Sequence, residues 1–227
     1  MSTPKDIFTE TSSIDVDTLR NLGPLTNMAG LWEGSRALDI PPRPLTAPER
    51  QEFVERTEMQ PIDPQSNGPQ LLYGLRYHTH IVKPGEVETY HDQVGYWLWE
   101  PATGRVIQTI AIPRGQTILS LGRAQGDATT FELTARLGEN TNGICSQPFL
   151  DEAFRTVAFR IQVTILSRDS WSYEEDATLI VSGQPEPFHH TDRAVLTRVG
   201  EPRPNPLALS KDRVARPIPK YRQNPSL

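Results

Sequence analysis

Apolar residues recur at every second position in stretch after stretch of this chain, with almost no helical spacing between them. That pattern limits what it can fold into more than any other feature. In QLLYGLRYHTHIV, Gln70–Val82, the odd positions Leu71, Tyr73, Leu75, Tyr77 and Ile81 are mostly apolar, while the even positions include Arg76, His78 and His80. In FRTVAFRIQVTILS, Phe154–Ser167, Val157, Phe159, Ile161, Val163 and Ile165 share one face, and Thr156, Arg160, Gln162 and Thr164 the other. A period of two belongs to a strand with one face in a core and the other in water. The same reading makes strands of LWEGSRAL, RQEFVERTEMQPI, QVGYWLWE, RVIQTIAI, GQTILSLGRA, TTFELTARL, SWSYEEDATLIVSG and RAVLTRVG. Short turns such as PATG, Pro101–Gly104, join them as hairpins. About ten strands with short connections predict an all-β fold, an antiparallel up-and-down barrel, because closure removes exposed sheet edges.

The flanks read differently. Residues 1–14 are polar and expected to be flexible. Ser13 or Asp15 can cap a short N-terminal helix that carries Val16, Leu19 and Leu22, and Gly23-Pro24 interrupts it. The barrel domain is expected over residues 15–200, with a Pro-rich insertion at Ile40–Pro48. Residues 201–227 form a Pro-rich C-terminal extension, with prolines at 202, 204, 206, 217, 219 and 225. Such a segment is extended, either disordered or wrapped on the barrel or on a neighbour, and an arm of that kind is consistent with a homodimer.

Composition narrows the partners. The length of 227 residues suffices for one sizeable core. A net charge of −5 argues against nucleic acid, whose phosphates require a basic face. Cys145 is the only cysteine, so no intrachain disulfide can form and a reducing compartment is the simplest reading. No apolar run reaches the roughly 18–20 residues of a membrane span, and MSTPKDIFTETSSIDVD lacks the apolar centre of a signal peptide. A cytoplasmic protein without a membrane partner is the expectation.

Two stretches carry chemistry. AGLWEGSR, Ala29–Arg36, sets Trp32 between Gly30 and Gly34, where glycine permits close backbone approach and the indole closes a barrel end. PFHHTDRAVLTRV, Pro187–Val199, places His189 and His190 in a turn that opens the last strand, with Asp192 either orienting an imidazole or capping the turn. His78 and His80 share the face of Arg76, opposite the apolar one, so they read as solvent-facing. Cys145 reads as a loop residue, and YEEDA as a solvated strand edge with Tyr173 inward. No nucleophile elbow, phosphate loop, dinucleotide fingerprint or zinc-binding H-E-x-x-H is present in the sequence.

YHDQVGYWLWEPATGRVIQTIAIPRGQ, Tyr90–Gln116, joins an H-x-x-x-G-Y-W segment to a polar hairpin and an A-x-P-x-G turn. With LWEGSR before it, then FVERTEMQ, and EPFHHTDRAVLTRV at the end, this order resembles the nitrobindin family over roughly Leu25 to Val199. Those are small heme-binding barrels of lipocalin-like, fatty-acid-binding-protein-like shape. The resemblance implies heme b bound through one histidine near the start of the last strand, peroxynitrite isomerisation in the ferric form, and nitric oxide binding in the ferrous form. It implies His190 as that ligand, with His189 as substitute and His91 across the heme. Trp32 and Thr191 then fall near the cofactor, and Gln93, Tyr96 and Asp192 in the pocket. The sequence departs from the family pattern at Arg36, which replaces a glycine, and at Gln93, which replaces a glutamate. Counted back from Leu196, the ligand position falls on Thr191, so His190 requires a bulge to face inward. Two other functions fit the same residues. One is a heme-free barrel that takes an apolar small molecule, with His91, Gln93 and His190 on its polar head. The other is a non-heme enzyme in which His91, His190 and Asp192 converge as acid–base groups or metal ligands.

Overall fold

A computed structural model describes residues 6–11, 13–42 and 50–205, apart from the side chains of Ser35 and Arg36. The expected Pro-rich insertion beyond Pro42, and the extension beyond Asn205, lie outside the described residues. The strands are β1 (Gly30–Ile40), β2 (Gln51–Pro61), β3 (Gln65–Asn67), β4 (Gln70–Val82), β5 (Thr89–Glu100) and β6 (Arg105–Ile112). They continue as β7 (Gln116–Arg123), β8 (Thr130–Leu137), β9 (Gly143–Ser146), β10 (Phe154–Ser167), β11 (Ser170–Val181) and β12 (Phe188–Gly200). The helices are α1 (Thr18–Asn21), a 3-10 segment (Gly23–Met28) and α2 (Pro148–Ala153).

The strands hydrogen-bond in the order β2-β1-β12-β11-β10-β8-β9-β7-β6-β5-β4-β3, and a β2–β4 pairing closes the ring. Ten strands make the circuit, β9 is wedged into it as an eleventh, and β3 only folds back onto β4. Every pairing is antiparallel except β8–β9. The expected barrel is therefore present. The short strands β3 and β9 and the six-residue helix α2 were not signalled by periodicity, which needs a longer run to show. Cys145 sits on β9 rather than in a loop.

The period of two decides what fills the barrel. In β2, Phe53, Glu55, Thr57 and Met59 are buried, while Glu52, Val54, Arg56 and Glu58 face out. A bulge shifts β10 between Thr156 and Ala158, so Thr156 turns inward, against the alternation expected for that strand. His78 and His80 on β4 face out as expected, and His78 pairs with Asp92 at 2.9 Å. Gly95 on β5 is required by the sheet itself: a Cβ there would lie 1.8 Å from the Thr109 carbonyl oxygen of β6.

The N-terminal segment corks one end. Helix α1 has a single turn and is capped by Asp17, whose carboxylate accepts from the Arg20 amide, rather than by Ser13 or Asp15. The 3-10 segment follows it, and Leu22, Leu25 and Met28 are fully buried at that end with Trp32. The start of the extension is tied to the barrel: the Arg203 amide donates to Gln60 at 2.6 Å and Asn205 donates to Asp63. No helix among the described residues is long and apolar enough to cross a membrane. Among the described residues, a cavity opens at the opposite end of the barrel, where β1 ends and β5 and β12 begin.

Candidate functional site

A cavity of about 430 Å³ runs from this open end into the barrel. Its depth is aromatic and aliphatic, with Phe53, Trp97, Phe159, Ile161 and Trp171 among the walls. Its mouth carries Pro41, Pro42, Leu150, Phe154 and Arg114.

His190 enters the cavity from β12. It needs no bulge: β11 and β12 stay in register from Leu179↔Phe188 to Ser170↔Thr197. Unbroken alternation puts His190, Asp192, Ala194 and Leu196 on the inner face, and His189, Thr191, Arg193 and Val195 on the outer one. The irregularity nearby is in β1, whose pairing with β12 shifts between Gly34 and Leu38. Thr191 is therefore outside the cavity, and the expected bulge before Asp192 does not exist. His189 also faces out, 2.9 Å from Asp176. The last strand starts at Phe188, so PFHHTD is not a turn as expected but largely strand. Asp192 does not cap a turn; it lies within the strand and lines the cavity.

The His190 ring is held by a carboxylate. Its Nε2 lies 2.8 Å from Asp39 Oδ1, and the other Asp39 oxygen accepts from the Tyr90 hydroxyl at 2.5 Å. Burial disfavours the imidazolium, but the hydrogen bond and charge of Asp39, backed by Asp192 and Asp176, outweigh it and raise the His190 pKa. His91, on β5, also lines the cavity, with Nε2 3.1 Å from Gln93 Oε1. There burial dominates and lowers the pKa, which favours the neutral imidazole. The two histidines thus sit in one cavity with opposite tendencies.

Below them is a feature that sequence reading missed. Glu175 of β11 is directly opposite Asp192 of β12, and Asp192 is directly opposite Asp39 of β1. All three face the cavity. Glu55 of β2 joins them from another strand, with Thr57 donating at 2.7 Å and Tyr173 at 2.8 Å. Tyr173 reaches Glu55 because the positions between are small: Ala194 is opposite Tyr173, and Gly34 is opposite Glu55. Burial and then the charges of Glu55 and Asp39 push the Glu175 pKa up to about 8. Asp192 is raised by burial and by Glu175, against the opposing charge of His190. Glu55 is raised by burial despite its two hydroxyl donors. The signal for these residues was legible. Once Tyr173 faces in, the period of two sends Glu175 in as well, and Phe53 does the same for Glu55. The expectation that YEEDA is a solvated edge holds for Glu174, which is exposed, but not for Glu175.

Two other expected site residues lie elsewhere. Trp32 is fully buried at the corked end and does not line the cavity. Tyr96 is 43% exposed, on the outer face of β5. His91, Gln93, His190 and Asp192 are the expected residues that the fold brings to one cavity.

As a metal site, the imidazole of His190 with its buried carboxylate partner has the chemistry of an oriented axial donor. Asp39 occupies Nε2, which leaves Nδ1 as the free ring nitrogen in this rotamer. The neutral His91, the apolar rim and the cationic Arg114 at the mouth suit a flat, apolar group with anionic substituents, and the residues present fit a porphyrin at the mouth.

Comparison with known proteins bears on the same point. A family model described as "THAP4-like, heme-binding beta-barrel domain" matches residues 21–198. The crystal structure of Rv2717c from M. tuberculosis superposes with a TM-score of 0.55 at 23% identity, covering 80% of this chain and 97% of that one, which is a likeness of fold. No curated protein matches the chain.

Proposed function

Because this chain belongs to the family of THAP4-like, heme-binding β-barrel domains, we propose that the open end of its barrel holds heme b with His190 as the axial ligand. The observation that carries this reading is the His190–Asp39 pair, a carboxylate fixing an imidazole at the mouth of the cavity. His91 is assigned to the small ligand's side of the cavity, where its Nε2–H donates to Gln93 Oε1 and the neutral ring keeps Nδ1 as an acceptor. Arg114 is assigned to the heme propionates. Pro41, Pro42, Leu150 and Phe154 exclude water from the mouth. When bound, heme would supply a Lewis-acid iron suited to nitric oxide binding in the ferrous form and to peroxynitrite isomerisation in the ferric form. Tyr90 positions the pair by holding the second oxygen of Asp39.

Hemin titration of the purified protein, followed in the Soret region, tests the assignment. Wild-type protein is expected to show a saturable Soret shift at one heme per chain. His190→Ala should weaken binding by about tenfold or more, and His91→Ala should alter the spectrum more than the affinity. His189→Ala, on the outer face, should change neither. Absence of a defined Soret shift in wild type, or equal losses in His190→Ala and His189→Ala, would overturn the reading.

A further inference from the structure

Apart from Asp39, the carboxylates inside the barrel are unused by that reading. Asp39 and Glu55 have partners: His190 and Tyr90 hold the first, and Thr57 and Tyr173 the second. Asp192 is different. Its Oδ1 is sealed from solvent and has no hydrogen-bond partner among the described residues. The one other buried side-chain atom in that condition among the described residues is Trp171 Nε1, and Trp171 lines the same cavity. The cavity therefore presents one acceptor without a donor and one donor without an acceptor. A buried polar group left unpaired costs about 1–3 kcal/mol. Glu175 stands directly opposite Asp192 on the neighbouring strand.

Charge defines what is missing. Asp39, Glu55, Glu175 and Asp192 line the cavity, whereas Arg114, at the mouth, is the one arginine or lysine among its described lining residues. No group of three or more His, Cys, Asp or Glu among the described residues is arranged to hold a metal ion. The complement is instead an organic cation, whose N–H groups can divide among several carboxylates while its body lies against aromatic faces such as those of Trp97, Phe159 and Trp171. We propose that the interior of the barrel binds a small organic ammonium ion, its –NH3+ donating to Asp192 and Glu175 and an oxygen at its far end accepting from Trp171 Nε1. A cavity of about 430 Å³ suits an amine with a single aromatic ring or an equivalent aliphatic body. The site is independent of the heme assignment, although the two ligands would share one cavity.

The probe is 4-(2-aminoethyl)phenol, with 4-ethylphenol as its uncharged counterpart and 3-(4-hydroxyphenyl)propanoate as its anionic one. Isothermal titration calorimetry of heme-free protein is expected to show the ammonium compound binding at least about tenfold more tightly than the neutral phenol, in line with a charged hydrogen bond. The propanoate should give no measurable heat. Asp192→Asn and Glu175→Gln should each reduce or abolish that preference, and Trp171→Phe should weaken the ammonium compound while keeping the charge preference. Thermal unfolding confirms that each variant is folded, and the amide variants keep the shape of the side chains they replace. Equal binding of the ammonium and neutral compounds, or a charge preference that survives both amide variants, would overturn the proposal. Failure of the heme titration leaves this outcome unaffected, because the calorimetry uses heme-free protein and no iron signal.

Discussion

Glu175→Gln is expected to stabilise the barrel at pH 8.5 by on the order of 3 kcal/mol, and to leave it almost unchanged near pH 4.5. Burial, with Glu55 and Asp39 near, moves the Glu175 pKa from 4.5 to about 8 in the folded state. Between those values the native protein holds a proton that the unfolded chain has released. Stability that is fully present below pH 4.5 is therefore lost as pH rises toward 8. His190 acts in the same direction. Its folded pKa is raised above 6.5, so its contribution is complete below that value and fades as pH rises through the raised one. The wild-type barrel should thus be more resistant to urea at pH 5 than at pH 8.5. The glutamine variant cannot ionise at position 175. Its stability should fall less steeply with pH, with a gain in unfolding temperature on the order of 10 °C at the alkaline end. Urea unfolding of both proteins at the two pH values measures this. Parallel pH profiles, or a variant that is weaker at pH 8.5, would show that Glu175 does not titrate as the structure requires.

Trp32→Ala should cost about 3–5 kcal/mol, the range for truncating a large buried aromatic. Trp32 is fully buried and its Nε1 donates to the Met28 carbonyl at 2.8 Å. Its ring meets Trp171 edge-on at 6.0 Å and lies under the Arg198 guanidinium at 4.3 Å. Arg198 in turn donates to the carbonyls of Ala29 and Arg168 and pairs with Asp169. One indole thus connects the N-terminal cork, the first and last strands and the β10–β11 turn. Trp32→Phe keeps the packing but leaves the Met28 carbonyl without its donor, and should cost about 1–3 kcal/mol. Because Trp32 does not line the cavity, Trp32→Phe loaded with hemin should keep the wild-type Soret maximum. A shifted maximum would return Trp32 to the cofactor environment that its motif suggested.

The strand register explains how the candidate site escaped a reading that found most of its scaffold. Alternation in QLLYGLRYHTHIV and in EFVERTEMQ placed β4 and β2 correctly, since one wet face and one dry face leave a mark in every strand. The same rule, applied from Leu196, would have put His190 inward and Thr191 outward. The family's motif spacing argued otherwise; β12 pairs with β11 without a shift, and the irregularity lies in β1, between Gly34 and Leu38. A bulge on one strand leaves no signature on its partner. The Glu175–Asp192–Asp39 row is hidden for a related reason. Each residue is polar, and that polarity masks the inward place that alternation gives it, while their convergence depends on how three strands align.

By itself the sequence determined the all-β barrel, the inward and outward faces of its longer strands, and the histidines worth testing, because period-two burial is a local property of the chain. Only the tertiary structure decided that His190 rather than His189 enters the cavity, that Trp32 is buried at the corked end and not in the cavity wall, and that four carboxylates line the interior. Those outcomes depend on register and closure, where residues from β1, β2, β11 and β12, distant along the chain, are brought face to face. Desolvation there raises the pKa of Glu175 and of Asp192, an effect that no isolated strand could produce.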